Sequence, residues 1–317
     1  MRRPGGEGKG ERPSSLRAVP RERSAWYVSS SRVAPLGILL SLLSGLAWAG
    51  LDSQRKALGT KVGSLPLLVV LALGQAPVFL VWGLATHARA SSGYVLPALG
   101  SLAINVAANL LFLRAVQLSA LSKTVPFLAF TPVFAALNAL VLLHELPSSL
   151  AWCGIGCVGA GGVLLALAPG HTLLEALRKD PGAWRMLLVA LLWSVSSSLD
   201  KLALRHATVP LHAAVQTGGV GLVAFSALAF RGRLGELRPV RHELRRVALT
   251  LAFGFTALAI QFVALRLVFV GLMEASKRAV GTVMALVLGR LLFDEPITRR
   301  KALAAFAIVV GTFLLLG

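Results

Sequence analysis

Residues 113–126 read LRAVQLSALSKTVP, and residues 265–281 read LRLVFVGLMEASKRAVG. Leu113-Arg114 and then Ser122-Lys123 in the first stretch answer Leu265-Arg266 and then Ser276-Lys277 in the second. Downstream, Glu145 and Gly161 answer Glu295 and Gly311 at nearly the same spacing. Upstream, Asp52 pairs with Asp200, each following a Leu at the end of an apolar run. The chain therefore reads as one unit written twice.

Both copies run through long apolar blocks. The 317 residues are 56% hydrophobic and 14% charged, where a soluble domain carries about a quarter charged residues. Mean hydropathy is +0.75. The apolar residues gather into about ten blocks of roughly 18–22 residues, the length of a membrane-crossing helix. Such blocks exclude a β-barrel, whose strands alternate in hydrophobicity. The fold class is an all-α membrane protein with ten transmembrane helices arranged as a 5+5 inverted repeat. The inversion follows from the odd span count of each copy, which inserts the second copy upside down and relates the two by an axis in the membrane plane.

Four regions follow: a basic N-terminal tail expected to be disordered (1–32), a first five-helix repeat (33–168), a polar linker (169–183) and a second repeat (184–317). In the first repeat the spans are placed at Val33–Ala57, Leu65–Ala85, Tyr94–Arg114, Leu118–Leu143 and Ser148–Ala168. In the second they are placed at Trp184–Arg205, Leu211–Phe230, Val247–Leu267, Val270–Leu292 and Arg299–Leu316. Pro126 and Pro132 predict a kink in the fourth span, because each removes a backbone donor.

The net charge is +19. The basic residues lie in the tail, in loops and at helix ends, which suits orientation and head-group contact better than nucleic acid. Cys153 and Cys157 share one helix face and read as packing residues, with too few ligands nearby for a metal. No arrangement for nucleophilic catalysis, phosphate loop or metal cluster is visible. His87, His144, His171, His206, His212 and His242 fall at helix ends or in loops and read as interfacial. No cofactor is expected.

The candidate site is read from polar residues inside the spans. An ionisable residue at depth costs about 2.5–3.5 kcal/mol on insertion scales and faces a cavity or a partner. Glu274, Lys277 and Arg278 stand at i, i+3, i+4 and so share one side of the ninth span. Arg278 is roughly 12 Å in from Val270, near the midplane. The competing reading is a self-neutralising ion pair, which still leaves one cation over. Lys123 is the repeat counterpart of Lys277 and either lines the site or snorkels. Asn105 and Asn109 share a face of the third span, and Asn109 answers Gln261. These seven residues are the expected substrate-binding set. Asp52, Asp200 and Glu274 are the coupling candidates, although Asp52 and Asp200 also suit local ion pairs with Arg55, Lys56, Lys201 and Arg205. Glu145 and Glu295 are placed to cap the following helices, and Gly154, Gly156, Gly161 and Gly311 to allow close helix approach.

The residues around each copy's end carry a resemblance. His144-Glu145-Leu146-Pro147 and Asp294-Glu295-Pro296 each precede a Gly-containing apolar helix. The run Val125-Pro126-Phe127-Leu128-Ala129-Phe130-Thr131-Pro132-Val133-Phe134 resembles the fourth helix of the EamA repeat of the drug/metabolite transporter superfamily. The resemblance covers about Val33 to Gly317. One departure is Lys277-Arg278-Ala279-Val280-Gly281, where the first copy has its proline-rich run. The resemblance implies a central cavity, alternating access and movement of a small metabolite, with termini in the cytoplasm of a plasma or cell inner membrane. A secondary active exporter of an anionic or zwitterionic solute such as an amino acid is the expected function. A flippase for a lipid-linked head group, a membrane-embedded enzyme and a non-transporting scaffold are the rivals. Expected partners are the solute and membrane lipid, and a homodimer is left open.

Orientation divides the evidence. The odd-numbered connections hold Arg55, Lys56, Lys61, Arg178, Lys179, the arginine-rich 231–246 segment, Arg299, Arg300 and Lys301. The even-numbered ones hold little more than Arg89, Lys201 and Arg205. Loop charge alone places the termini outside, whereas the tail and the resemblance place them inside. A reporter fused after Gly317 is expected to be active in the cytoplasm; activity only outside would make the loop charges the better guide.

Overall fold

A computed structural model describes residues 35–59, 61–119, 124–167, 172–293 and 296–315. The tail, Lys123 and Glu295 lie outside the described residues. The described part is helical, with eleven α-helices: α1 Pro35–Gly59, α2 Ser64–Ala85, α3 Val95–Leu118, α4 Thr131–Leu143, α5 Ser149–Ala166, α6 Leu173–Lys179, α7 Pro181–Leu204, α8 Val209–Phe230, α9 Leu244–Leu265, α10 Val270–Phe293 and α11 Arg299–Leu314. Among the described residues eight helical segments are long and apolar enough to cross a membrane. The other two long helices fall short for visible reasons. α10 carries Glu274, Lys277, Arg278 and Arg290, and α11 has 16 residues.

Several boundaries differ from the sequence reading. α3 runs on past Arg114 to Leu118, where the fourth span was expected to begin. Further along the fourth span the chain forms a 3₁₀ turn, Val125–Phe130, and α4 starts afresh at Thr131 with Pro132 in its first turn. The prolines thus reset the helix where a kink was expected, since a first-turn proline lacks only a donor that would be unpaired anyway. The linker holds its own helix, α6, closed by a capping box between Thr172 and Glu175. α7 starts at Pro181 under an Asp180 cap, three residues before Trp184.

The two halves pack as an exchange-symmetric pair. Contacts between α3 and α7 answer those between α1 and α9, and α4–α7 answers α1–α10. The pairs α2–α8, α4–α10 and α5–α11 map onto themselves. That is the pattern of a twofold axis relating residues of one half to those of the other, with the self-paired helices crossing at the axis. The register agrees with the paired glycines. A Cβ on Gly154 would sit 2.6 Å from the Gly311 carbonyl oxygen, and one on Gly161 would sit 2.8 Å from that of Ala304. Exchanging the halves turns one contact into the other.

Lipid tails are as apolar as these side chains, so helix association here rests on close packing more than on water exclusion. The glycines provide that closeness between α5 and α11. Gly156 is an exception to the expectation, because nothing lies within 4 Å of a Cβ built there. Away from the spans, Lys61 hydrogen-bonds Glu243 just before α9, which holds the Glu243 carboxyl below its ordinary range.

Gly161→Val is expected to lower the melting temperature in detergent, with overpacking costing about 1–3 kcal/mol. Gly156→Ala, on the same helix, is expected to leave it unchanged. Equal effects of the two would contradict the α5–α11 crossing.

Candidate functional site

The polar residues inside the bundle converge on one helix. α7 carries Ser194, Ser196, Ser197, Ser198, Asp200 and Lys201 on consecutive turns, and all but Lys201 are buried. Each makes a bond that fixes α7 against a neighbour or against itself. A serine hydroxyl both donates and accepts, so a run of them can join several helices without adding charge. Ser194 accepts from the Asn138 amide of α4 at 2.6 Å, and Ser198 bonds back to the Ser194 carbonyl at 3.2 Å.

Toward α10, Ser197 donates to Glu274 at 2.8 Å. The same carboxylate oxygen faces the Lys277 ammonium at 2.7 Å. Lys277 also donates to the Gln261 amide oxygen of α9 at 3.1 Å, and the Trp48 indole of α1 donates to that oxygen at 2.8 Å. Lys277 stands 5.6 Å from the Trp48 ring centroid, within cation–π range. Glu274 and Lys277 neutralise each other. Arg278, on the next position, is half-buried, and its Nε is buried without a hydrogen-bond partner among the described residues. The surplus cation expected on this helix is therefore present and incompletely satisfied.

Toward α3 and α8, Asp200 accepts from Ser101 and lies 3.0 Å from His212 Nε2. An ionised carboxylate only accepts, so against an ionised Asp200 it is Nε2–H that donates. His212 Nδ1 shares a hydrogen bond of 3.2 Å with the Tyr94 hydroxyl. Ser101 also meets Ser196 at 2.9 Å. His212 is fully buried and its ring lies 4.9 Å from that of Phe262.

At the end of α7, Lys201 pairs with Glu145 and donates to the Val268 carbonyl at 2.6 Å. The other Glu145 oxygen accepts from the Val270 amide at 3.2 Å. Glu145 therefore does not cap the helix that follows it. Ser148 caps α5, through Ala151, and Glu145 serves the N-terminus of α10. The αL conformation at His144 ends α4 and turns the chain there.

Of the expected substrate-binding set, the structure joins Gln261, Glu274 and Lys277 in one network and puts Arg278 beside it. Asn109 stays with its own helix, its amide donating to the Asn105 backbone carbonyl at 2.8 Å. Of the coupling candidates, Asp52 does make a local pair, with Arg55 at 3.6 Å, and is exposed. Asp200 does not pair locally: Lys201 turns to Glu145 instead, and Asp200 meets His212. The reading of His212 as interfacial is likewise corrected. Its place in the first turn of α8 looked like a helix end, but that turn is packed under Tyr94 and Phe262. Trp48, Tyr94, Ser101 and Asn138 were also missed. The available signal was the Ser194–Ser198 run itself, since small polar residues in a membrane helix mark its contacts.

Among the described residues no group of three or more His, Cys, Asp or Glu side chains could hold a metal ion. Cys153 is exposed, Cys157 is half-buried, and both are free.

The profile of the EamA-like transporter family matches residues 35–167 and again 180–317. A solved protein crystal structure is similar to the chain at 19% identity with a TM-score of 0.66, covering 88% of this chain and 95% of the other. At that identity the likeness concerns the fold alone. Among curated proteins nothing matches. The ten long helices, their exchange-symmetric packing and the two profile matches lead to one conclusion: the chain is a multi-pass membrane protein of the EamA-like transporter family, which moves small molecules across a membrane.

Proposed function

We propose that the chain is a secondary active exporter of a small anionic or zwitterionic solute, such as an amino acid, working by alternating access. The observation that carries this reading is the unpartnered, buried Nε of Arg278 beside the already neutral Glu274–Lys277 pair. A buried guanidinium edge without a partner is costly, and an anionic group of a solute would satisfy it with charge-assisted bonds. Trp48, Gln261 and Lys277 would flank that group, drawing on α1 of the first half and α9 and α10 of the second. Contributions from both halves suit a site between repeats, where rocking of one half on the other alternates its exposure.

Asp200 and His212 support coupling to a proton. The pair is buried and can hold one proton between carboxylate and imidazole. Ser196 and Ser197 tie it through one helix to Glu274, so protonation at one network can bias the geometry of the other. The membrane is proposed to be the plasma or cell inner membrane, with both termini cytoplasmic.

In proteoliposomes loaded with a panel of labelled amino acids, Arg278→Gln is expected to reduce transport at least tenfold while the protein stays monodisperse. Arg278→Lys, which keeps the charge but not the planar donor fork, should recover part of it. Normal transport by Arg278→Gln would move the site elsewhere. Asp200→Asn is expected to abolish the dependence of transport on an imposed pH gradient and to leave solute exchange at equal pH largely intact; unchanged gradient dependence would remove Asp200 from coupling.

A further inference from the structure

A second, unrelated feature lies beside the second half of α3. The face of α3 that holds Ser101, Ala108 and Ala115 is buried. Its opposite face is exposed along Leu96, Leu99, Ala107, Leu110 and Arg114. On that opposite face, a groove of about 730 Å³ lies between the second half of α3, the start of α2 at Gly63–Pro66 and the segment after α8. Its inner wall is apolar, with Ala107, Leu110, Leu111 and Leu113. Its outer rim is polar, with Arg114, Gln117, Arg231, Arg233 and Glu236.

Charge at the rim is unbalanced. Arg233 pairs with Glu236. Arg114 and Arg231 are exposed and have no ion-pair partner among the described residues. Ala107 to Gln117 spans roughly 15 Å of helix, so the groove runs from the level of a loop to well inside the apolar layer. The rim then sits where head groups sit, and the inner wall where acyl chains sit.

We infer that this groove is a binding site for an anionic phospholipid, its phosphate held by Arg114 and Arg231 and one acyl chain lying along Leu110 and Ala107. The occupant is argued from geometry and charge. The apolar inner wall and the arginine-bearing rim match the two ends of one amphipathic molecule, an acyl chain and an anionic head group. An acyl chain gains little by leaving other acyl chains for this wall. Selectivity must therefore come from the rim, and the excess of two positive charges selects a net negative head group over a zwitterionic one. A net hydrogen bond from an arginine to the phosphate contributes about 1 kcal/mol, which is roughly fivefold in affinity. Nothing in this site touches the polar network along α7, so it does not depend on the proposed transport reading.

The test uses the full chain, purified in neutral detergent, with native mass spectrometry and thermal melting as readouts. Added phosphatidylglycerol is expected to be retained at one molecule per chain and to raise the melting temperature, whereas phosphatidylcholine is not. Arg114→Gln and Arg231→Gln should each weaken phosphatidylglycerol retention by roughly fivefold, and together by more than tenfold. Arg89→Gln, an exposed change near the opposite membrane face, should have no effect. Three outcomes would overturn the assignment: equal retention of phosphatidylcholine, undiminished retention by the double variant, or displacement of phosphatidylglycerol by inorganic phosphate at similar concentration. The last would show a free-anion site rather than a lipid site.

Discussion

A polar group placed in the apolar layer is costly unless it finds a partner, because no water is there to supply one. The rest of this structure depends on how α7 meets that constraint. Its serines, Asp200 and Lys201 bond to α3, α4, α8 and α10 and to the loop before α10. Removing α7 would leave Asn138, Glu274, His212 and Glu145 each short of a partner. A charged group at depth is tolerated in proportion to its pairing, and Ser197 of α7 adds a hydrogen bond to the Glu274–Lys277 pair on α10.

The symmetry of the packing and the asymmetry of the chemistry have one origin. Duplication gives both halves the same helices and the same contacts, seen in the exchange of Gly154–Gly311 with Gly161–Ala304. The polar equipment differs. Asp52 and Asp200 occupy equivalent places, yet Asp52 is exposed beside Arg55 and Asp200 is buried beside His212. α2 and α8 are both 22 residues long, and the fourth residue of each is Leu67 in one and His212 in the other. With a leucine there, the first half offers its aspartate no counterpart of His212, and Asp52 stays exposed beside Arg55. One half thus supplies a packing copy of a device that only the other half completes.

Small residues make such a bundle possible. Where two backbones approach as closely as those of α5 and α11, dispersion contacts are many and directional, and each added methyl group is felt. The α5–α11 crossing is therefore fixed by shape, whereas the helices around α7 are fixed by hydrogen bonds. Both kinds of tie act at the boundary between the repeats.

The fold was legible in the sequence because its causes are local. Span length is set by bilayer thickness, inversion by an odd number of spans, and the halves by matched series such as Leu113-Arg114 and Leu265-Arg266. The clustering of Glu274, Lys277 and Arg278 followed from helical spacing alone. What the sequence could not decide is which groups meet across helices, since that depends on rotation about each helix axis and on crossing angle. Glu145 looks like a cap for the helix after it, but tertiary packing brings it to the start of α10. His212 looks interfacial from its place near a helix end, but the packing of Tyr94 and Phe262 buries it. Asn109 has the right residue type and depth, yet its amide closes on the backbone of its own helix. Residue type and spacing determined that polar groups would lie inside the membrane, and only the packed structure determined which of them satisfy one another.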